Sequence, residues 1–180
     1  MEQKSAEPAG RPVAGPQAYG FLTAVESAGH GIFGGYLLVD PLGRPLEFHC
    51  TAPVKVSRAQ QILYGATLHA HLHGQQIGGA LLAEGTVTPH VVLTDLVSML
   101  HVRHHTKLPV AIVRPAEAGE PTCVDAAGGF RLGDATVQAH PSDVAREDDL
   151  RETLATLAAA VDLREPFERI RAAIDEAQRR

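Results

Sequence analysis

Histidine supplies most of the reactive side chains in this sequence. There are ten of them, and six fall in two clusters, His69, His71 and His73, then His101, His104 and His105. Imidazole is a neutral metal ligand and a proton carrier near neutral pH, so clustered histidines point to either kind of chemistry. On a helix His69 and His73, spaced i and i+4, share one face. A third imidazole from a neighbouring helix would complete a three-nitrogen site with an open fourth position, where zinc lowers the pKa of a bound water. A helical wheel puts His104 on the side of Leu96, Val97 and Leu100, so His69, His73 and His104 are the candidate metal ligands. The same residues facing a core would serve as a pH sensor.

Other constellations are weaker. Gly29 to Gly35 offers backbone amides to an anion but lacks the Lys-Ser/Thr of a phosphate-binding loop, and reads as a turn or bulge region. The basic stretch His101, Arg103, His104, His105, Lys107 reads as a solvated helix end or a phosphate contact. Cys50 and Cys123 form no CxxC arrangement, so neither a disulfide framework nor a zinc ribbon is indicated. His49 and Cys50 point to opposite faces of a strand and cannot act as base and nucleophile.

These residues need elements to hold them. Strands are expected over residues 21–27, 36–40 and 46–52, the last two joined by the Asp40-Pro41-Leu42-Gly43 turn. In the third, Leu46, Phe48, Cys50 and Ala52 share the face expected to be buried. Ser57-Arg58-Ala59-Gln60 is a capping box, and the apolar stripe after it predicts a helix to about Leu82, weakened by glycines and with a break near Gly74. His90–Thr94, a helix over 96–105 and Leu108–Val113 compose a β-α-β unit with a parallel strand pair. Thr122–Asp125, Phe130–Leu132 and Ala135–Ala139 read as further strands. Two amphipathic helices follow, the first carrying Leu150, Leu154, Leu157 and Val161, the second Phe167, Ile170 and Ile174. The fold class is α/β: a mixed sheet of antiparallel hairpin strands plus a β-α-β unit, flanked by helices.

The order of elements over residues 21–113 resembles the ribonuclease H-like superfamily. The resemblance implies metal-binding carboxylates at Glu26, at the end of the first strand, and at Asp95, at the end of the fourth. Asp143 or Asp148 would stand near the last such position, and Gly34-Gly35-Tyr36 is similar to that superfamily's glycine-containing stretch. The first helix departs from the pattern: Ser57 through Ala83 contains no Asp or Glu. Magnesium held by Glu26 and Asp95 is what this likeness implies for catalysis.

The chain has 180 residues, 44% hydrophobic and 21% charged, the balance of a globular protein. No run is long and apolar enough to span a membrane. Residues 1–17, with Pro8, Pro12 and Pro16, read as a flexible tail without the apolar core of a signal peptide, residues 18–180 as a single domain, and the expected compartment is the cytoplasm. A net charge of -5 weighs against nucleic acid as partner. The sequence therefore favours a non-catalytic binding or regulatory module, with a protein partner or self-association through its amphipathic helices. The alternative is a metal-dependent hydrolase or nuclease-like phosphodiesterase using zinc or magnesium, through either the histidines or Glu26 with Asp95.

Overall fold

The computed structural model describes residues 17–117 and 128–179. The strand expected over Thr122–Asp125, Cys123 with it, and residues 1–16 of the expected tail lie outside the described residues. A mixed sheet runs through the centre in the order β3-β2-β1-β4-β5-β7-β6. Antiparallel β1 (Tyr19–Ser27), β2 (Gly31–Val39) and β3 (Pro45–Cys50) form one half. Next come β4 (Val92–Thr94) and β5 (Val110–Pro115), parallel to β1. Antiparallel β7 (Ala135–Ala139) and β6 (Phe130–Leu132) complete the sheet. The mixed sheet and the parallel pairing of β4 with β5 are as the sequence predicts.

Alternation along the strands divides the apolar residues into two cores, one per face. Phe21, Leu37, Leu93 and Val113 pack against α4 (Glu147–Ala160) and α5 (Glu165–Gln178), where the Phe21 and Phe167 rings meet edge to face at 5.3 Å. Leu22, Leu38, Val92 and Val110 pack against the residues between β3 and β5. No helix of the described residues is long and apolar enough to cross a membrane.

The second face is covered by a helical run whose winding changes along its length. Ser57 opens it as a capping box: its hydroxyl accepts from the Gln60 amide at 3.1 Å, and Gln60 accepts from the Ser57 amide at 2.9 Å. α1 (Arg58–Tyr64) passes through a 3-10 turn (Gly65–Thr67), α2 (Leu68–Ala70) and a π segment (His71–Gly79) into α3 (Ala80–Glu84). The break expected near Gly74 does not occur. Gly74 serves close packing instead, since a Cβ there would lie 2.8 Å from the His101 Cβ. The segment Val97–His105 is 3-10 rather than α-helical, with Met99 and Val102 buried one turn apart.

Two strand expectations need correction. The glycine stretch is not a loop: β2 begins at Gly31 and pairs with β1 from Ser27 onward. Nor is the apolar face of β3 buried, since Leu46 is 43% and Phe48 40% exposed. β3 is an edge strand, and its polar face is the one held down. Glu47 accepts from the Thr86 amide at 3.0 Å, the Val87 amide at 2.9 Å, the Thr86 hydroxyl, and His49 Nε2 at 3.0 Å.

Those bonds, the one from His49 foremost and the Thr86 bonds next, hold the Glu47 carboxyl down at about 2 from an ordinary 4.5. A carboxylate with a depressed folded-state pKa contributes stability above its unfolded pKa and loses it as pH falls through the folded value. Urea unfolding across that window should show wild-type stability declining from pH 4.5 toward about 2. The Glu47→Gln variant, less stable at neutral pH, should decline less steeply; parallel profiles would contradict this reading of Glu47.

Candidate functional site

The register of the central strands decides which carboxylates can meet. Leu22 pairs with Thr94, so Thr23 stands level with Asp95, and Glu26 lies three residues further on, about 10 Å along the strand. Alternation then separates them. Thr23 and Asp95 turn to the face covered by α5: the buried Thr23 hydroxyl donates to Asp95 Oδ1 at 2.6 Å, and the Arg171 guanidinium on α5 pairs with Asp95 Oδ2. Glu26 turns to the other face, where its charge acts on His73. Glu26 and Asp95, which the resemblance pairs around magnesium, are therefore not brought together.

The three histidines are not brought together either. His69 and His73 do approach, their rings 5.5 Å apart and nearly perpendicular. His73 is half-buried and shares a hydrogen bond between its Nδ1 and the Ser98 hydroxyl at 2.6 Å. Burial, then the neighbouring His69, lowers the His73 pKa, and Glu26 opposes the shift. His104 stands elsewhere because Val97–His105 winds with three residues per turn. Ser98, His101 and His104 then form one column, with His104 about 12 Å beyond Ser98 at 2 Å per residue. Its ring lies between His101, at 5.9 Å, and His140, at 5.6 Å. Burial lowers the pKa of His140, with Asp143 acting against the shift.

A divalent metal, which the ribonuclease H-like resemblance implies, does not fit the donors present. Both Asp95 oxygens already accept, one from a hydroxyl and one from a guanidinium whose positive charge stands where a cation would bind. Among the described residues no group of three or more His, Cys, Asp or Glu side chains is arranged to hold a metal ion.

A cleft of about 400 Å³ lies at the end of β1 on the face opposite α5. Glu26 and the 27–31 turn line one part, Lys55 with Val54 and Val56 another, and Gln61, His69 and Leu72 of the helical run the rest. Val54 is fixed there by a two-bond bridge to Ile32, at 2.9 and 2.8 Å. The cleft thus brings a carboxylate, an ammonium and an imidazole to one opening. Sequence reasoning singled out Glu26 and His69 but missed Lys55, whose placement depends on a bridge outside any regular strand. It missed Arg171 and Ser98 as well; both act through contacts distant in sequence.

Charge is divided between the faces. No Asp or Glu occurs from Phe48 to Ala83 or from Leu96 to Ala116, the stretches that supply most of the cleft face, and they carry Lys55, Arg58, Arg103, Lys107 and Arg114; Glu84 follows the first of them. Arg103 is committed internally to Asp143, at 2.8 and 3.1 Å. Carboxylates instead crowd the opposite layer: the first turn of α4 alone carries Glu147, Asp148 and Asp149. On the cleft face Ile62 is 65% and Leu63 83% exposed, and beside them the Tyr64 and His71 rings stack at 4.4 Å.

No protein-family model matches this sequence, and no curated protein matches it. Among solved structures, one neighbour is an Endonuclease V from Ciona intestinalis in complex with a 24mer DNA containing an inosine followed by a ribo-adenosine. Its TM-score is 0.53 at 11% identity, covering 90% of this chain and 87% of that one. Another is the catalytic domain of human Endonuclease V, with a TM-score of 0.46 at 14% identity, covering 92% and 85%. The first likeness supports a ribonuclease H-like fold for this chain, at the level of structure alone. It also corrects the expectation of a protein partner or self-association, in which nucleic acid is the less favoured partner on net charge. The solved protein that shares the fold holds DNA, and the net charge of -5 conceals a cleft face supplied mostly by stretches that lack carboxylates.

Proposed function

We propose that this chain is a nuclease-like protein that binds a nucleic-acid strand across its cleft face. The observation that carries the reading is the charge division: the stretches 48–83 and 96–116, which supply most of the layer over the cleft face, lack Asp and Glu, and Glu84 at the end of α3 is the exception in the helical run. A polyanionic backbone is attracted to such a surface and repelled by the α4 side. The exposed Ile62, Leu63 and the Tyr64–His71 stack favour unpaired bases, which need an apolar or aromatic surface to replace their own stacking. The shared fold with a nucleic-acid-bound Endonuclease V favours a nuclease-like protein over a non-catalytic module.

The test is fluorescence anisotropy with a labelled single-stranded oligonucleotide and the Lys55→Glu/Arg58→Glu double variant. Both side chains are exposed, so the fold should be unaffected. Affinity should drop on the order of tenfold or more, as expected for reversing charges that face phosphates. Equal affinity of wild type and variant would overturn the assignment of this face.

A further inference from the structure

We infer that the cleft at the end of β1 cleaves RNA without a metal ion, with Glu26 as general base, His69 as general acid and Lys55 neutralising the phosphate. This inference rests on the nucleic-acid reading above and names its substrate class. The geometry for it is the convergence of these three side chains, from three different segments, on one opening of about 400 Å³, a size that admits one nucleotide unit. All three are exposed, so a strand can reach them.

RNA suits the cleft on chemical grounds. Hydrolysis of a phosphodiester by water in the two-metal manner needs a carboxylate set for the cations, and the described residues do not provide one: Glu26 and Asp95 face opposite sides of the sheet, and Asp95 is neutralised by Arg171. RNA carries its own nucleophile, the 2′-hydroxyl, held next to the phosphorus, so only proton transfer and charge stabilisation remain for the protein to supply. The Glu26 carboxylate takes the 2′-hydroxyl proton as the 2′-oxygen bonds to phosphorus. The bond from phosphorus to the 5′-oxygen breaks, and that oxygen takes a proton from the His69 imidazolium. Lys55 stabilises the charge that builds on the non-bridging oxygens. The products are a 2′,3′-cyclic phosphate and a 5′-hydroxyl. Glu26 ends protonated and His69 neutral, and proton exchange with solvent restores both. DNA, lacking the 2′-hydroxyl, binds but has no nucleophile to offer.

The experiment uses the full chain in the presence of EDTA, with three probes of one sequence: RNA, DNA and RNA methylated at every 2′-oxygen. RNA should be cleaved to fragments ending in 2′,3′-cyclic phosphate, while DNA and the methylated RNA are bound and left intact. Glu26→Gln and His69→Ala should each slow cleavage about 100-fold or more while still binding, with thermal melting to confirm that both variants fold. Any of three outcomes would overturn the inference alone: RNA bound but intact, DNA cleaved, or cleavage only with added magnesium. Failure of every probe to bind would overturn the nucleic-acid reading as well.

Discussion

The Asp143→Ala variant should lose about 1–3 kcal/mol of stability, the cost of leaving a buried amide without its acceptor and a partly exposed guanidinium without its partner. Asp143 is 1% exposed and sits in the 3-10 segment Pro141–Arg146, which follows β7. Its carboxylate accepts from Arg103 Nε at 2.8 Å, from Arg103 Nη2 at 3.1 Å and from the Val110 amide at 3.1 Å. One side chain thereby fastens the start of β5 to the segment Val97–His105. Removing it strands the guanidinium, which keeps the Thr106 carbonyl at 2.9 Å, and orphans a buried amide. Urea unfolding at neutral pH measures the loss, and Asp143→Asn, which retains an acceptor for Val110, should lose less. A change under about 1 kcal/mol for Asp143→Ala would show that the pair is not a stabilising link.

Enlarging Gly34 should be comparably damaging for a different reason. A Cβ at Gly34 would collide with Ile77 Cγ2 on the cleft face, and a Cβ at Gly35 with Ile170 Cγ2 on the α5 face. The adjacent glycines therefore let helical layers settle onto both faces of β2 at one point. Overpacking of this kind costs about 1–3 kcal/mol, occasionally more. Gly34→Val should lie at or beyond the top of that range, because Ile77 belongs to the π segment that also carries His71 and His73. Displacing that segment should weaken strand binding as well as lower the melting temperature. A variant that melts like wild type would mean the layers have more freedom than their contacts indicate.

Local chemistry made much of this fold legible in the sequence. The Ser57 capping box, the apolar runs of β4 and β5, and the stripes of α4 and α5 each declare an element through near neighbours in the chain. Errors arose where distant partners decide. β3 shows Leu46 and Phe48 to solvent because it lies at the sheet edge, while the amides that bind Glu47 come from Thr86 and Val87. The glycines of β2 look like a loop until the isoleucines pressing on them from either side are known.

The site was legible only in part, for the same reason. Glu26 and His69 can be named from the sequence, but their meeting with Lys55 follows from the Ile32–Val54 bridge. The metal triad assumed α-helical spacing for His104, and 3-10 winding carries that residue toward His140 instead. Pairing Glu26 with Asp95 assumed that strand ends converge; alternation places them on opposite faces. Net charge misled because it sums over two faces of different character.

The central claim is that the cleft face holds a nucleic-acid backbone, and the most direct measurement is the salt dependence of single-strand binding by the wild-type protein. With Lys55 and Arg58 beside the cleft and Lys107 and Arg114 exposed in the other carboxylate-free stretch, measurable affinity is expected at about 50 mM salt. The logarithm of the affinity should then fall linearly with the logarithm of salt concentration, with a slope of about -2, near 0.7 per neutralised phosphate. No binding at about 50 mM salt, or an affinity indifferent to salt up to about 200 mM, would contradict it.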